Sequence, residues 1–221
     1  MTRMTTDVVR TLVALFRALS VALLVLPAAC NRTSPARDTA ASTSSSAVRL
    51  TNGANAVDLL GGGSKGEIFV AWRGNYNAHG FSTVAFYVRA ASDRGDSTTV
   101  WQLVPFFGGS HDADSGRDVL RTFEGADCTL GDLRVVSHGR AAVEVILATR
   151  EMGESFADSA AVRFEYYGIK RNTEGLAGWP PVYFEQLRTV PAKRAYCDVN
   201  EAFARELGLG TEGLGHGEGG R

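Results

Sequence analysis

The sequence predicts a mainly β fold, an antiparallel sheet or sandwich with one short C-terminal helix. Three observations carry that expectation: short β-branched and aromatic runs recur along the chain, turn-forming residues separate them, and a single helix signature stands near the end. The runs are Glu67 to Trp72 (EIFVAW), Phe81 to Arg89 (FSTVAFYVR), Thr99 to Phe107 (TVWQLVPFF), Leu133 to Val136, Val143 to Ala148 (VEVILA) and Val162 to Ile169 (VRFEYYGI). Between them, Leu60 to Ser64, Asp93 to Asp96 and Gly108 to Ser110 carry the residues of hairpin turns. The segment Gly178 to Phe184 (GWPPVYF) is not expected to be a regular central strand, because its two prolines lack amide donors. Its Trp179, Tyr183 and Phe184 then cap the core or line a recognition groove. The helix is expected to start at Asp198, with Glu201 reaching back to the cap. It runs through Val199, Phe203 and Leu207 on one face until Gly208 stops it.

Residues 1 to 29 read as an export signal. Arg3 and Arg10 precede an apolar run from Ala18 to Leu26, and Pro27-Ala28-Ala29 leads into Cys30. The run is shorter than the roughly 20 residues a membrane span needs. Small residues before Cys30 have the look of a lipobox, so Cys30 is the expected lipid-anchored first residue of the mature chain, at a bacterial periplasm or cell envelope. Residues 30–47, rich in Ser, Thr and Ala, form a tether that cannot bury enough surface to order itself. Residues 48–207 form a single domain, and residues 208–221 a Gly-rich tail whose His216 is expected to be solvated.

The chain of 221 residues carries 23 Lys+Arg against 24 Asp+Glu. Removing Arg3, Arg10, Arg17 and Asp7 with the signal leaves 20 cations and 23 anions, a net charge of −3. A nucleic-acid partner held by bulk charge is excluded. Cys128 and Cys197 are the cysteines besides Cys30, and in an oxidising compartment they are expected to form a disulfide. No CxxC spacing supports a redox pair.

The candidate chemistry is sparse. The turn from Asp58 to Gly66 offers one carboxylate and Ser64, too few oxygens for calcium. Asp112, Asp114 and Asp118 beside His111 could form a weak cation site, although a solvated loop is the plainer reading, and no metal or cofactor is expected. Arg73 to His79 (RGNYNAH) is a polar insert between two core strands. There Asn75 and Asn77 suit left-handed turns, while Arg73 and His79 either brace the loop or bind an acidic ligand. SxxK, HExxH and Walker motifs are missing from the sequence, no catalytic residue is assigned, and the chain is not expected to be an enzyme.

Taken together, NGANAVDLLGGG, WRGNYNAHGFSTVAFYV, WQLVPFF, EGADC and RFEYYGIKRN followed by GWPPVYF resemble the exported CarG-like carbapenem self-resistance proteins. The likeness spans most of Asn52 to Cys197, and NYNAH carries most of it. The family's turn is richer in Asp and Asn than Asp58 to Gly66, so the departure removes support for a metal. The resemblance implies a β-rich protein that protects against a β-lactam by non-hydrolytic binding of the carbapenem or by shielding cell-wall-synthesis proteins. A bound drug carboxylate would then pair with Arg73 or Arg150, with Asn75, Asn77 and His79 as polar partners and Trp179 as an apolar wall. Two other classes stand beside this one: an envelope protein-protein interaction module with no small-molecule ligand, and a hydrolase of unrecognised geometry.

Overall fold

The structure, a computed structural model, describes residues 45–77, 79–91, 98–108, 116–211 and 214. The expected signal, the Cys30 anchor and nearly all of the tether lie outside the described residues, as do the turn 93–96, residues 109–115 of the acidic loop, and His216.

The chain is mainly β and forms two sheets. Its strands are β1 (Ser46–Ala47), β2 (Gly53–Val57), β3 (Gly66–Arg73), β4 (Phe81–Ala91), β5 (Thr99–Leu103), β6 (Phe106–Phe107), β7 (Leu120–Arg121), β8 (Phe123–Glu124), β9 (Thr129–Ser137), β10 (Glu144–Arg150), β11 (Val162–Arg171) and β12 (Val182–Pro191). The larger sheet has the order β1-β9-β10-β11-β12-β6, with β8 pairing β9. The smaller has the order β2-β3-β4-β5, with β7 pairing β4. Every pairing is antiparallel except β12 with β6.

Alternation builds the core. In β3 the side chains of Ile68 and Val70 are buried and those of Phe69 and Arg73 exposed, the period-2 pattern of a sheet covered on one face. Ile68, Val84 and Phe86 from the smaller sheet meet Leu133, Val135, Val145 and Phe184 from the larger. Phe106 stacks on Phe184 at 4.3 Å, and Phe86 meets both rings edge-on at 5.1 and 5.2 Å.

Two crossings stitch the layers. The expected strand 99–107 is broken at Val104-Pro105: β5 belongs to the smaller sheet, and β6 pairs in parallel with β12 of the larger. Between β7 and β8 the chain crosses again at Thr122, whose amide donates to the Ser82 carbonyl at 2.9 Å. Its Oγ1 accepts the Ser82 amide at 2.7 Å. Both residues are buried.

β12 corrects the expectation for GWPPVYF. The prolines end before the strand, and Val182, Tyr183 and Phe184 open a ten-residue strand lying between β11 and β6. The C-terminal helix also differs. It makes one α turn, α1 (Val199–Ala202), and continues as a π turn over Phe203–Leu207 before Gly208 closes it at φ 67°. Asp198 caps it by accepting the Asn200 amide, whereas Glu201 pairs with Arg205 at 2.8 Å instead of reaching back to the cap. This element covers the outer face of the larger sheet, where Val199, Ala202 and Phe203 pack on Val136, Ile146, Ala148 and Phe164. The tail is anchored at Leu209, which packs on that cluster, and at Leu214, which joins the inter-sheet core.

Candidate functional site

The insert between β3 and β4 is held by its own side chains. Asn75 Nδ2 donates to the His79 carbonyl at 2.7 Å, and the His79 amide donates to Asn77 Oδ1 at 2.9 Å. These bonds turn the chain tightly enough to place Tyr76 at φ 58°, the one described non-glycine residue in the left-handed region. A ring-bearing residue held there stores roughly 1–2 kcal/mol of backbone strain. The Tyr76 side chain gains no burial in return, since it is fully exposed. His79 Nδ1 lies 3.4 Å from the Glu124 carbonyl, a bond that requires the proton on Nδ1. Its ring sits 5.3 Å from Phe156, which in turn lies 6.3 Å from the half-exposed Phe123.

Arg150 stands behind that wall. It ends β10, is 3% exposed, and spends its guanidinium on main-chain oxygens of the loop that carries Phe156. Nη1 donates to the carbonyls of Phe156 at 3.0 Å, Asp158, and Cys197 at 3.3 Å, while Nη2 reaches the Ser155 carbonyl at 3.4 Å. Nε is buried with no partner. The Cys128–Cys197 disulfide, expected from the sequence, closes the same region with Cα atoms 5.7 Å apart, and Cys197 Sγ lies 3.2 Å from the Ala157 carbonyl. Arg150 therefore positions the 151–158 loop, and through Phe156 it supports His79.

The structure groups Asn75, Asn77 and His79 directly and Arg150 through Phe156, but it does not bring Arg73 or Trp179 to them. Arg73 stacks on Phe81 at 5.3 Å, on the outer face of the smaller sheet. Trp179 caps an aromatic cluster, 4.7 Å from Phe107 and 5.2 Å from Tyr183, just before β12. Register separates it from Arg150, because Arg150 pairs with Val162 at the start of β11 while Val182 pairs with Arg171 at its end. Asp58 is absorbed by its turn. Its carboxylate accepts the Gly63 amide, the Ser64 amide and the Ser64 hydroxyl at 2.6, 2.9 and 2.6 Å, and these bonds, the Ser64 hydroxyl foremost, hold its pKa below the usual carboxylate range. Among the described residues, no three His, Cys, Asp or Glu side chains converge to hold a metal.

Two polar groupings went unnoticed in the sequence. Arg117 Nη2 donates to Tyr167 Oη at 2.5 Å, and Tyr167 Oη donates to Glu165 Oε2 at 2.9 Å; burial, the largest cause, pushes the phenol up to about 12. Asp132 and Arg134, both nearly fully buried, pair at 3.0 Å beneath the helix, where Arg134 also bonds Asn200 and lies 4.4 Å over Phe203. Burial raises the Asp132 pKa against the opposing pull of Arg134. Alternate positions on one strand face neighbour each other, so the Asp-x-Arg spacing was the available signal for this pair.

The fold is similar to that of CarG, with a TM-score of 0.57 at 21% sequence identity, over 72% of this chain and 93% of CarG. No family model matches the chain, and no curated protein matches it.

Proposed function

We propose that this chain is an exported, lipid-anchored envelope protein that protects its cell against a carbapenem without hydrolysing it, by shielding a cell-wall-synthesis protein. The CarG-like fold supports the carbapenem part of this reading, together with the NYNAH insert that carries the sequence likeness. One observation carries the choice of shielding over sequestration. The polar side chains of Asn75, Asn77 and Arg150 are committed to their own loops, while Tyr76 is presented to solvent on a strained backbone. Strain without burial is what a recognition residue retains when function, not stability, selects it.

The test is to export the chain in a carbapenem-susceptible bacterium and compare tolerance with that of Tyr76→Gly. Glycine relaxes the left-handed position, so the variant folds at least as well. The reading requires that the parent raise the inhibitory concentration and that Tyr76→Gly lose at least half of the gain. Purified protein mixed with a carbapenem should leave the ring absorbance intact and its own melting temperature unmoved. Ring loss would make it an enzyme, and a saturable rise in melting temperature would make it a sequestering protein. Unchanged tolerance would leave the interaction module without a small-molecule ligand.

A further inference from the structure

The two sheets treat their outer faces differently. The larger sheet lies under the C-terminal helix, whereas on the outer face of the smaller one Phe81 and Ala85 are buried but large side chains of β3 and β5 stand half-exposed. Register assigns that face. Ile68, Val84, Phe86 and Val88 point inward, so Phe69 and Arg73 of β3, Tyr87 and Arg89 of β4 and Trp101 of β5 point outward, and Arg121 of β7 sits beside them opposite Thr83. Phe69 and Trp101 are 48% and 45% exposed. Arg89 lies 5.1 Å over Trp101, and Arg121 and Arg73 lie 3.7 and 5.3 Å from Phe81. A guanidinium laid flat on a ring keeps its N–H edges available for a second partner. Three arginines face one carboxylate, Glu67, on a chain whose cations and anions are 23 and 24.

We infer that this outer face is a docking surface for an anionic lipid bilayer. Charge selects the partner's sign, and it also disfavours a second copy of the same face, which would set arginine against arginine. Shape selects a planar partner: Ala54, Ala56, Ala71 and Ala85 fill the positions around Phe69, so the aromatic rings project from a flat surface. Aromatic rings settle at the headgroup level of a membrane, and arginines are drawn to its anionic headgroups. The inference stands apart from the carbapenem reading, since no drug or target takes part in it.

The experiment uses the chain from Asn31 to Arg221, which contains every described element and carries no lipid. It is sedimented with vesicles of phosphatidylglycerol and phosphatidylethanolamine, and with neutral phosphatidylcholine vesicles for comparison. Binding to the anionic vesicles alone is expected, weakening as salt rises. Each arginine contributes about a fivefold factor, so Arg73→Gln, Arg89→Gln and Arg121→Gln together should lower partitioning roughly a hundredfold. Phe69→Ala with Trp101→Ala should weaken it at unchanged circular dichroism. Lys193→Gln, Arg194→Gln and Arg205→Gln together should not, although they remove the same charge. Equal binding to both vesicle types, no binding, or equal loss in the control variant overturns the inference. So does a dimer by light scattering that Phe69→Ala with Trp101→Ala dissolves, since the face would then belong to a second copy.

Discussion

Arg150→Met removes the guanidinium that ties the 151–158 loop to the sheet while keeping much of the apolar stem. The two closest bonds, to the carbonyls of Phe156 and Asp158, are charge-assisted, and each is worth roughly 1.5–3 kcal/mol. The contacts to the Cys197 and Ser155 carbonyls are longer and add less. Against this, methionine relieves the burial of a charged group whose Nε has no partner, an offset of about 1–3 kcal/mol. The net expectation is a loss of about 2–4 kcal/mol, read by urea unfolding with an unchanged m value. The loop should open locally as well. Hydrogen exchange at residues 151–158 should accelerate, and the His79 ring resonances should shift as Phe156 moves. Arg150→Lys should recover no more than half, because one ammonium cannot span carbonyls that the planar fork reaches together. A loss below about 1 kcal/mol, or a larger loss with unchanged exchange in the loop, would refute the assignment of Arg150 as its positioning group.

Further expectations follow from the buried polar groups. Thr122→Val leaves the buried Ser82 amide without its acceptor and should cost about 1–3 kcal/mol in chemical denaturation, whereas Thr122→Ser should cost little. Asp132→Ala strands Arg134 beneath the helix and should cost about 3–5 kcal/mol, while Asp132→Leu combined with Arg134→Met should cost clearly less than the two single changes added. Tyr167 titrates near 12 in the folded chain and near 10 when unfolded. The raised value means that its contribution is fully present below about pH 10 and is lost as pH rises through 12. Melting temperature should therefore fall across that window, and Tyr167→Phe should flatten the fall.

Strands with an alternating or continuous apolar run were legible. β3 and β11 alternate, whereas β4, β9 and β10 bury side chains on both faces, and both kinds of run survive in the sequence. β12 was not, because beyond Phe184 it runs Glu-Gln-Leu-Arg-Thr-Val-Pro with half-buried and exposed side chains, and the prolines before it mask its start. Val104-Pro105 hid a change of sheet inside an apparently continuous run, since alternation cannot report which layer a strand joins. In the site, Asn75 and Asn77 were readable as turn formers because their short amides bond locally. The bonds of Arg150 to main-chain carbonyls were not legible, since nothing in VILATR distinguishes an arginine that faces carbonyls from one that faces solvent. Tyr76 passed without comment, as its φ is imposed by neighbours on either side.

The pairing of β6 with β12 also governs when the molecule can fold. Phe106 meets Phe184 and Ser46 meets Ser137 across 78 and 91 positions of chain, so the two edges of the larger sheet close on partners far apart in sequence. Such contacts repay loop-closure entropy only once both partners exist, which makes folding slow. A nascent chain ending before Val182 has no partner for β6 and no Phe184 ring between Phe86 and Phe106. The inter-sheet core around Phe86 and Phe106 is therefore completed only when the last strand is in place.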